Sequence, residues 1–167
     1  TKLETVTNVA ITNFDDYLLA LENRHDFFAS MGCTVSDHGL EVLNAEDFTD
    51  KEIAAIFNII RAGKELSDTE RRKFRSAMLV HFAEWDWAKG WVQQFHLGAM
   101  RNNNSRMTQK LGPDTGWDSI GDYSQGRALA RFLDRLDKEN KLARTILYNL
   151  NPADNELIAS MAGNFND

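Results

Sequence analysis

Cysteine and proline are scarce in this sequence, which has one cysteine, Cys33, and two prolines among 167 residues. A single cysteine excludes an internal disulfide framework and is consistent with a reducing, cytoplasmic location. We expect Cys33 to behave as a small buried hydrophobic residue. Long apolar runs are missing too, because none approaches the roughly 18 residues of a membrane span. The sequence therefore indicates neither a transmembrane protein nor a membrane partner.

Excess positive charge is also missing, since 25 Asp and Glu residues outnumber 19 Lys and Arg residues and give a net charge of -6. Nucleic-acid binding generally needs a basic face, so no nucleic-acid partner is expected. The composition, 43% hydrophobic and 26% charged, is that of an ordinary globular protein. Its length fits a single domain spanning 1–167.

Several motifs with known chemistry are absent from the sequence. It has no P-loop, no dinucleotide fingerprint, no Cys-x-x-Cys, no His-Glu-x-x-His and no His-x-His, so no complete metal site can be drawn from it. It begins TKLETVTNVA, without an initiator Met or a signal core, and it stops at GNFND. We therefore expect it to be part of a longer protein.

Helical patterns alternate with strand-like runs along the chain. The strand candidates are CTVSDHG (33–39), WVQQFHLG (91–98) and RTILYNLN (144–151). The expected helices are 14–32, capped by Asn13 or Thr12; 45–62; 67–90, opened by the capping box Ser67-Asp68-Thr69-Glu70; 124–140, capped by Ser124; and 152–161, capped by Asn151 with Pro152 in its first turn. Between the second strand and Ser124 lies a loop of roughly 25 residues, a length typical of functional or disordered segments.

This alternation predicts an α/β fold with about three parallel strands, because parallel neighbours need a crossover connection. Ligands of such folds gather at the carboxyl ends of the strands. Polar residues stand at or after these ends: Asp37 and His38, His96 and Arg101, Asn149 and Asn151. A (β/α)8 barrel takes roughly 250 residues, so the chain is either a small open sheet or a piece of a barrel.

Each candidate site residue has a functional and a structural interpretation. His96 could bind a metal or pass a proton, or simply fill space. Arg101 suits bidentate binding of a carboxylate or phosphate, or forms a surface ion pair. Asp37 could act as a base, orient a metal ligand or cap a turn. The run Asn102-Asn103-Asn104 offers amides to a ligand, or forms a turn.

The remaining histidines and the basic cluster have plainer interpretations. His25 and His81 lie within predicted helices, away from any strand end, and we expect them to be packing or surface residues. The cluster formed by Arg71, Arg72, Lys73 and Arg75 is interpreted as a solvated helix face.

Five segments together resemble the uronate isomerase family, also called glucuronate isomerase. They cover essentially the whole chain, in order: GCTVSDHGLE (32–41), GWVQQFHLGAMRNNN (90–104), LGPDTGWDSIGD (111–122), TILYNLNPADNE (145–156) and MAGNF (161–165). The resemblance implies an amidohydrolase-type (β/α) barrel that interconverts D-glucuronate with D-fructuronate, and D-galacturonate with D-tagaturonate, in hexuronate catabolism. It also implies a divalent metal, often zinc, in the complete enzyme. The reaction moves a proton between C2 and C1, which needs a base, polarisation of the carbonyl and a cation for the substrate carboxylate.

By motif position, the resemblance places the family's active-site residues on Asp37, His96 and Arg101. In our hypothesis Arg101, with Asn102 and Asn103, binds the uronate, and Arg101 holds its carboxylate or a hydroxyl-rich face. His96 polarises the carbonyl end or lies beside the metal, for which it is the one candidate ligand here. Asp37 orients a neighbour or shares in proton transfer.

The sequence also departs from the family pattern. Family members are much longer and carry a His-x-His motif on the first barrel strand and an aspartate and an arginine near the last strand, none of which is present here. We therefore expect a middle section of a barrel, with a helical insertion at about 45–89, and no isomerase activity from these residues alone. Homo-oligomeric assembly is also considered, because an open three-stranded piece exposes edges and apolar faces.

Two other functions compete with the isomerase. One keeps the barrel but assigns hydrolysis of amides or esters, as in the wider amidohydrolase group. The other is a mostly helical interaction module whose polar strand-end residues are only caps. That module predicts no concave site joining Asp37, His96 and Arg101, so the location of these three side chains separates it from an enzyme.

Overall fold

The computed structural model describes residues 1–165; residues 166 and 167, the last two of the predicted 1–167 domain, lie outside the described residues. The elements, in chain order, are α1 (Lys2–Thr7), α2 (Phe14–Ser30), β1 (Val35–Leu40), α3 (Asp50–Arg61), α4 (Asp68–Lys89), β2 (Val92–Leu97), β3 (Ala99–Met100), α5 (Ser105–Leu111), β4 (Ser119–Ile120), α6 (Gly126–Asp137), β5 (Arg144–Asn149), a 3-10 turn (Pro152–Asp154) and α7 (Asn155–Ala162).

The predicted parallel sheet is confirmed. Its strand order is β1-β2-β5, and both neighbouring pairs are parallel. The first pair starts with Val35 opposite Val92, and the second with Val92 opposite Arg144. Each connection between neighbours carries helices: α3 and α4 join β1 to β2, and α5 and α6 lie between β2 and β5. The chain therefore builds three consecutive strand–helix units.

Side chains alternate between the two faces of the sheet, as pleating requires. One face packs on helices α4, α6 and α7, and there Phe95 is fully buried with its ring edge-on to Phe132, 5.7 Å between centroids. The buried residues of this core are Leu43, Leu79, Ala83, Phe95, Leu97, Leu129, Phe132, Leu133, Leu136 and Ile158. The opposite face, which we name the open face, carries Val35, Asp37, Gly39, Gln94, His96, Ile146 and Tyr148.

The predicted helical insertion forms a second core with the first two helices. Its buried residues are Ile11, Phe14, Ala20, Ile53, Ile56, Phe57, Ala77 and Met78. The predicted capping box at Ser67 is present, and of the two predicted caps for the earlier helix, Asn13 or Thr12, Asn13 is the residue that caps α2. The predicted start at Ala45 is wrong, because Thr49 and Glu52 form a capping box that begins α3 at Asp50.

Other local predictions are also wrong. Helix α6 begins at Gly126 rather than after Ser124, and its N-terminal neighbour Gln125 makes no side-chain cap. The buried Gln125 amide instead accepts from the Leu43 backbone N–H and donates to the Glu41 carbonyl, so it secures the segment after β1. Cys33 is only half-buried, and its Sγ donates to the Val35 carbonyl at 3.3 Å.

The loop after β2 also differs from the prediction. Instead of an unstructured stretch of roughly 25 residues, it holds helix α5 and the antiparallel pair of β3 and β4. Helix α1, before Phe14, was not expected either. Among residues 1–165, no helix has the length and apolarity to cross a membrane.

Candidate active site

Asp37 and His96 meet on the open face. Asp37 lies on β1 opposite Gln94, and His96 lies on β2 opposite Gly39, so the two are diagonal neighbours on the same side of the sheet. His96 Nε2 is 3.0 Å from Asp37 Oδ1, and the two side chains are 46% and 59% exposed. A carboxylate and an imidazole in this contact can share or pass a proton while remaining open to a ligand. Because β1 continues to Leu40, Asp37 lies within the strand and does not cap a turn.

A tyrosine extends this row across the third strand. Tyr148 of β5 lies opposite His96, and the two rings stack with centroids 4.4 Å apart and planes within 8°. Its hydroxyl donates to Oε1 of Gln94 at 3.4 Å. The stack restricts the orientation of the imidazole and leaves its ring edge facing Asp37.

Arg101 reaches the same face from the segment after β2. Gly98 adopts φ +93°, a conformation that favours glycine, and its N–H donates to the carbonyl of Leu40. The chain then forms β3, which pairs with β4. From there the guanidinium of Arg101 extends over β1, where a β-carbon at position 39 would lie 3.4 Å from its Nη2. Because Gly39 is opposite His96, the guanidinium lies close to the Asp37–His96 pair.

A carboxylate not singled out by the sequence holds this guanidinium. Asp118 Oδ2 accepts from Arg101 Nη1 at 2.7 Å, and Asp118 Oδ1 accepts from the Asn102 N–H at 2.9 Å. The Asn102 N–H and then the guanidinium hold the pKa of the Asp118 carboxyl below its usual value. Arg101 is thus in an ion pair, as its structural interpretation expected, yet its side chain remains 44% exposed beside the cleft.

The two asparagines predicted to bind substrate take part in the turn. Asn102 has φ +53°, which asparagine tolerates better than most residues. The Asn103 side-chain amide donates to the carbonyl of Met100 at 2.8 Å. Neither residue lines the cleft that Asp37, His96 and Arg101 share. These contacts agree with the turn interpretation, and a substrate role for Asn102 or Asn103 stays a prediction.

Asp37, His96 and Arg101 line one open cleft of about 980 Å³. That volume is at the upper end of the roughly 300–1,000 Å³ typical of small-molecule sites. Its other lining residues are Gly39, Ala99, Asp118, Ser119, Ile120, Leu147, Tyr148, Asn149 and Leu150. The convergence excludes the helical interaction module, which predicted no such cleft. The arrangement combines a proton-transfer pair with a cation that can bind an anionic group.

Residues 1–165 do not form a complete metal site. Among residues 1–165, no group of three or more His, Cys, Asp or Glu side chains is arranged to hold an ion. His96 and Asp37 supply at most two ligands, whereas catalytic zinc sites use three protein ligands. The present residues therefore do not account for the metal that the resemblance implies.

Two neighbours of the site were not identified from the sequence. Asp118 lies in the quoted segment GWDSIGD, but its contact with Arg101 depends on the β3–β4 pairing, and two-residue strands give no periodic signal. Tyr148 lies in the predicted third strand. Its position opposite His96 depends on the register of the sheet, which a single sequence does not specify.

The family model for glucuronate isomerase matches residues 1–167. The chain is 60% identical over 166 residues to the uronate isomerases of Phocaeicola vulgatus and Bacteroides thetaiotaomicron. Each match covers 99% of this chain and 36% of the relative, so the chain spans about a third of the length of these relatives.

Solved structures of the same family share the fold. The crystal structure of uronate isomerase from Thermotoga maritima matches with a TM-score of 0.92 at 28% identity, covering 98% of this chain and 36% of that one. Glucuronate isomerase from Caulobacter crescentus matches with a TM-score of 0.87 at 29% identity, covering 98% and 34%. The expected α/β fold, a partial amidohydrolase-type barrel with three parallel strands, is confirmed.

Proposed function

This chain belongs to the glucuronate isomerase family, and we propose that it supplies part of the active site of an aldose–ketose isomerase acting on hexuronates. The observation that carries the proposal is the convergence of Asp37, His96 and Arg101 in one cleft of a chain from this family. The reaction would interconvert D-glucuronate with D-fructuronate and D-galacturonate with D-tagaturonate. The family and its relatives are named as isomerases, which favours isomerisation over the hydrolytic alternative.

Isomerisation of a hexuronate needs a base for proton transfer and a cation for the carboxylate, and the cleft contains both kinds of group. A proton must leave C2 of the aldose and arrive at C1 as the ketose forms, and one base within reach of both carbons can carry it. The Asp37–His96 pair, 3.0 Å apart and exposed to the cleft, suits that transfer. The substrate carboxylate needs a fixed cation, and Arg101 has five N–H donors, of which those not bound to Asp118 remain for an anion.

The rest of the polypeptide is part of this proposal. The chain covers only about a third of its relatives, so we propose that it is a section of a barrel whose remaining strands cover the open face. A divalent metal, expected to be zinc, would take most of its ligands from that remainder. A cytoplasmic location, a role in hexuronate catabolism and homo-oligomeric assembly are further parts of the proposal.

Turnover of sugar acids by the complete polypeptide tests this function. Incubation with D-glucuronate in D2O should give the ketose, detected by NMR, whereas residues 1–167 alone should give none. Arg101→Met should raise KM about a hundredfold, because the cation for the carboxylate is lost. Arg131→Met is the matched control, since Arg131 forms a similar ion pair with Asp47 at 2.8 Å outside the cleft. Absence of turnover in the complete protein, or equal KM values for both variants, would contradict the proposal.

A further inference from the structure

We propose that Asp118 is a positioning residue that holds the guanidinium of Arg101 over Gly39, in the orientation that receives the substrate carboxylate. This inference rests on the proposed function, because it assigns Arg101 to the carboxylate of a hexuronate. It adds a residue that takes no part in proton transfer and acts only through Arg101.

Arg101 would have little to fix its side chain without Asp118. It follows the two-residue strand β3, and its side chain is 44% exposed. Among the described residues, two carboxylates lie within 4 Å of its guanidinium nitrogens: Asp118 at 2.7 Å and Asp114 at 3.7 Å. Only the first distance allows a hydrogen bond. Asp114 is also 79% exposed.

Asp118, in contrast, is fixed by the same turn that carries Arg101. Its Oδ1 accepts from the Asn102 N–H, and the carbonyl of the preceding Trp117 accepts from the Asn103 N–H at 2.8 Å. The residue after it, Ser119, pairs with Met100 in the β3–β4 ladder. The residues before and after Asp118 are thus both held by backbone contacts, and these contacts fix the place from which its carboxylate binds Arg101.

The guanidinium is confined from two directions. Nη1 is bound to Asp118, and Nη2 points to the space above Gly39, where a β-carbon would be only 3.4 Å away. Gly39 lies opposite His96, so the free donors of Arg101 face the region beside the Asp37–His96 pair. A carboxylate bound there would be placed at a set distance from the proton-transfer groups, as orientation of a substrate requires.

Removing the Asp118 charge changes the KM for the substrate in two opposite ways, one electrostatic and one geometric. The carboxylate of Asp118 competes with the substrate for Arg101, so its loss alone would strengthen binding and lower KM. Loss of orientation would weaken binding and raise KM. If Asp118 is a positioning residue, the second effect is the larger, and this decides the sign of the test.

The test compares Asp118→Asn with Asp114→Asn in the complete polypeptide. Asparagine keeps an acceptor for the Asn102 N–H but loses the charged contact with Arg101. We expect Asp118→Asn to raise KM for D-glucuronate about tenfold with kcat changed by less than about threefold, and Asp114→Asn to change neither by more than about twofold. An unchanged or lowered KM in Asp118→Asn would overturn the inference, as would an equal effect of the two variants.

Crystal structures of the wild type and of Asp118→Asn separate this inference from the proposed function. They report the guanidinium position whether or not the enzyme turns over hexuronates. We expect Arg101 to leave its place over Gly39 in the variant. A guanidinium that stays in place overturns the positioning role, and a wild type that fails to isomerise any hexuronate overturns the function alone.

Discussion

Two aspartate–histidine pairs of nearly equal length lie on opposite sides of strand β1. On the helix-covered side, His25 Nε2 is 2.9 Å from Asp86 Oδ1, and Ser36 of β1 donates its hydroxyl to the other oxygen of Asp86. On the open face, the next residue along the strand, Asp37, is 3.0 Å from His96 Nε2. Distance alone does not distinguish the two pairs.

Burial and additional partners distinguish them. The side chains of His25 and Asp86 are 13% and 1% exposed, and His25 stacks on Trp91 with ring centroids 4.1 Å apart. Asp86 thereby connects α2, α4 and β1 in a space that no substrate can enter. The open-face pair is about half exposed and lines the cleft. The same two residue types therefore stabilise the fold on one side and are available for chemistry on the other.

The largest expected effect is on catalysis. In the complete polypeptide, His96→Gln should lower kcat/KM for D-glucuronate about a thousandfold, because general acid–base groups contribute 10²- to 10⁴-fold. The matched change His25→Gln should alter kcat/KM by less than about threefold, since His25 has no access to the cleft. Equal losses in the two variants, measured by steady-state kinetics, would remove the distinction between the pairs.

The next effect concerns stability, and here we expect the larger loss in the buried His25–Asp86 pair and the smaller loss in the open-face pair. Asp86→Ala should lower the free energy of unfolding by about 3 kcal/mol, because it removes a buried carboxylate and leaves the partly buried His25 and Ser36 without their charged partner. Asp37→Ala should cost less than about 1 kcal/mol, as exposed ion pairs do. Urea denaturation of the complete protein measures both, and Asp86→Asn, which keeps an acceptor, should fall between them. A larger loss in Asp37→Ala would show that the open-face pair is structural.

The smallest effect is a pH dependence on the covered side of β1. His38 stacks on Phe82 and Phe95, and burial lowers its pKa below the usual 6.5, although Asp86 and Asp37 act in the opposite direction. The unfolded chain binds a proton at about 6.5 while the folded state stays neutral. Stability should therefore fall as the pH drops through 6.5 towards the lower folded-state pKa.

The variant His38→Phe keeps an aromatic ring in this position and removes the titrating group, so it should reduce that slope. His81 also has a pKa lowered by burial, and a smaller slope of the same sign should remain. Urea midpoints measured between pH 5.5 and roughly 7.5 report the slope. If stability depends on pH equally in the wild type and in His38→Phe, the pKa of His38 does not differ between the folded and unfolded states.

Sequence patterns predicted those features of the fold that depend on neighbouring residues. The three strands, the capping box at Ser67 and the helix cap at Asn13 follow from local periodicity and capping chemistry. The start of α6 was misplaced because Gln125 forms hydrogen bonds with residues about 80 positions earlier. Such distant contacts leave no mark on the local pattern.

The sequence predicted the main residues of the candidate site but not their contacts with residues distant in the chain. Motif position and strand ends pointed to Asp37, His96 and Arg101, and the structure places all three in one cleft. The role of the covered pair was not predictable, because His25 and Asp86 are 61 residues apart and lie on different helices. Asp118 was missed for a related reason, since its contact with Arg101 arises from a turn closed by two very short strands.

A crystal structure of the complete polypeptide with a bound hexuronate would show whether Asp37, His96 and Arg101 surround the substrate. We expect a carboxylate oxygen of the sugar to lie within about 3 Å of the Arg101 guanidinium, and the C1–C2 end of the sugar to face Asp37 and His96 on the open face. A hexuronate bound elsewhere, without contact to these three side chains, would contradict this expectation.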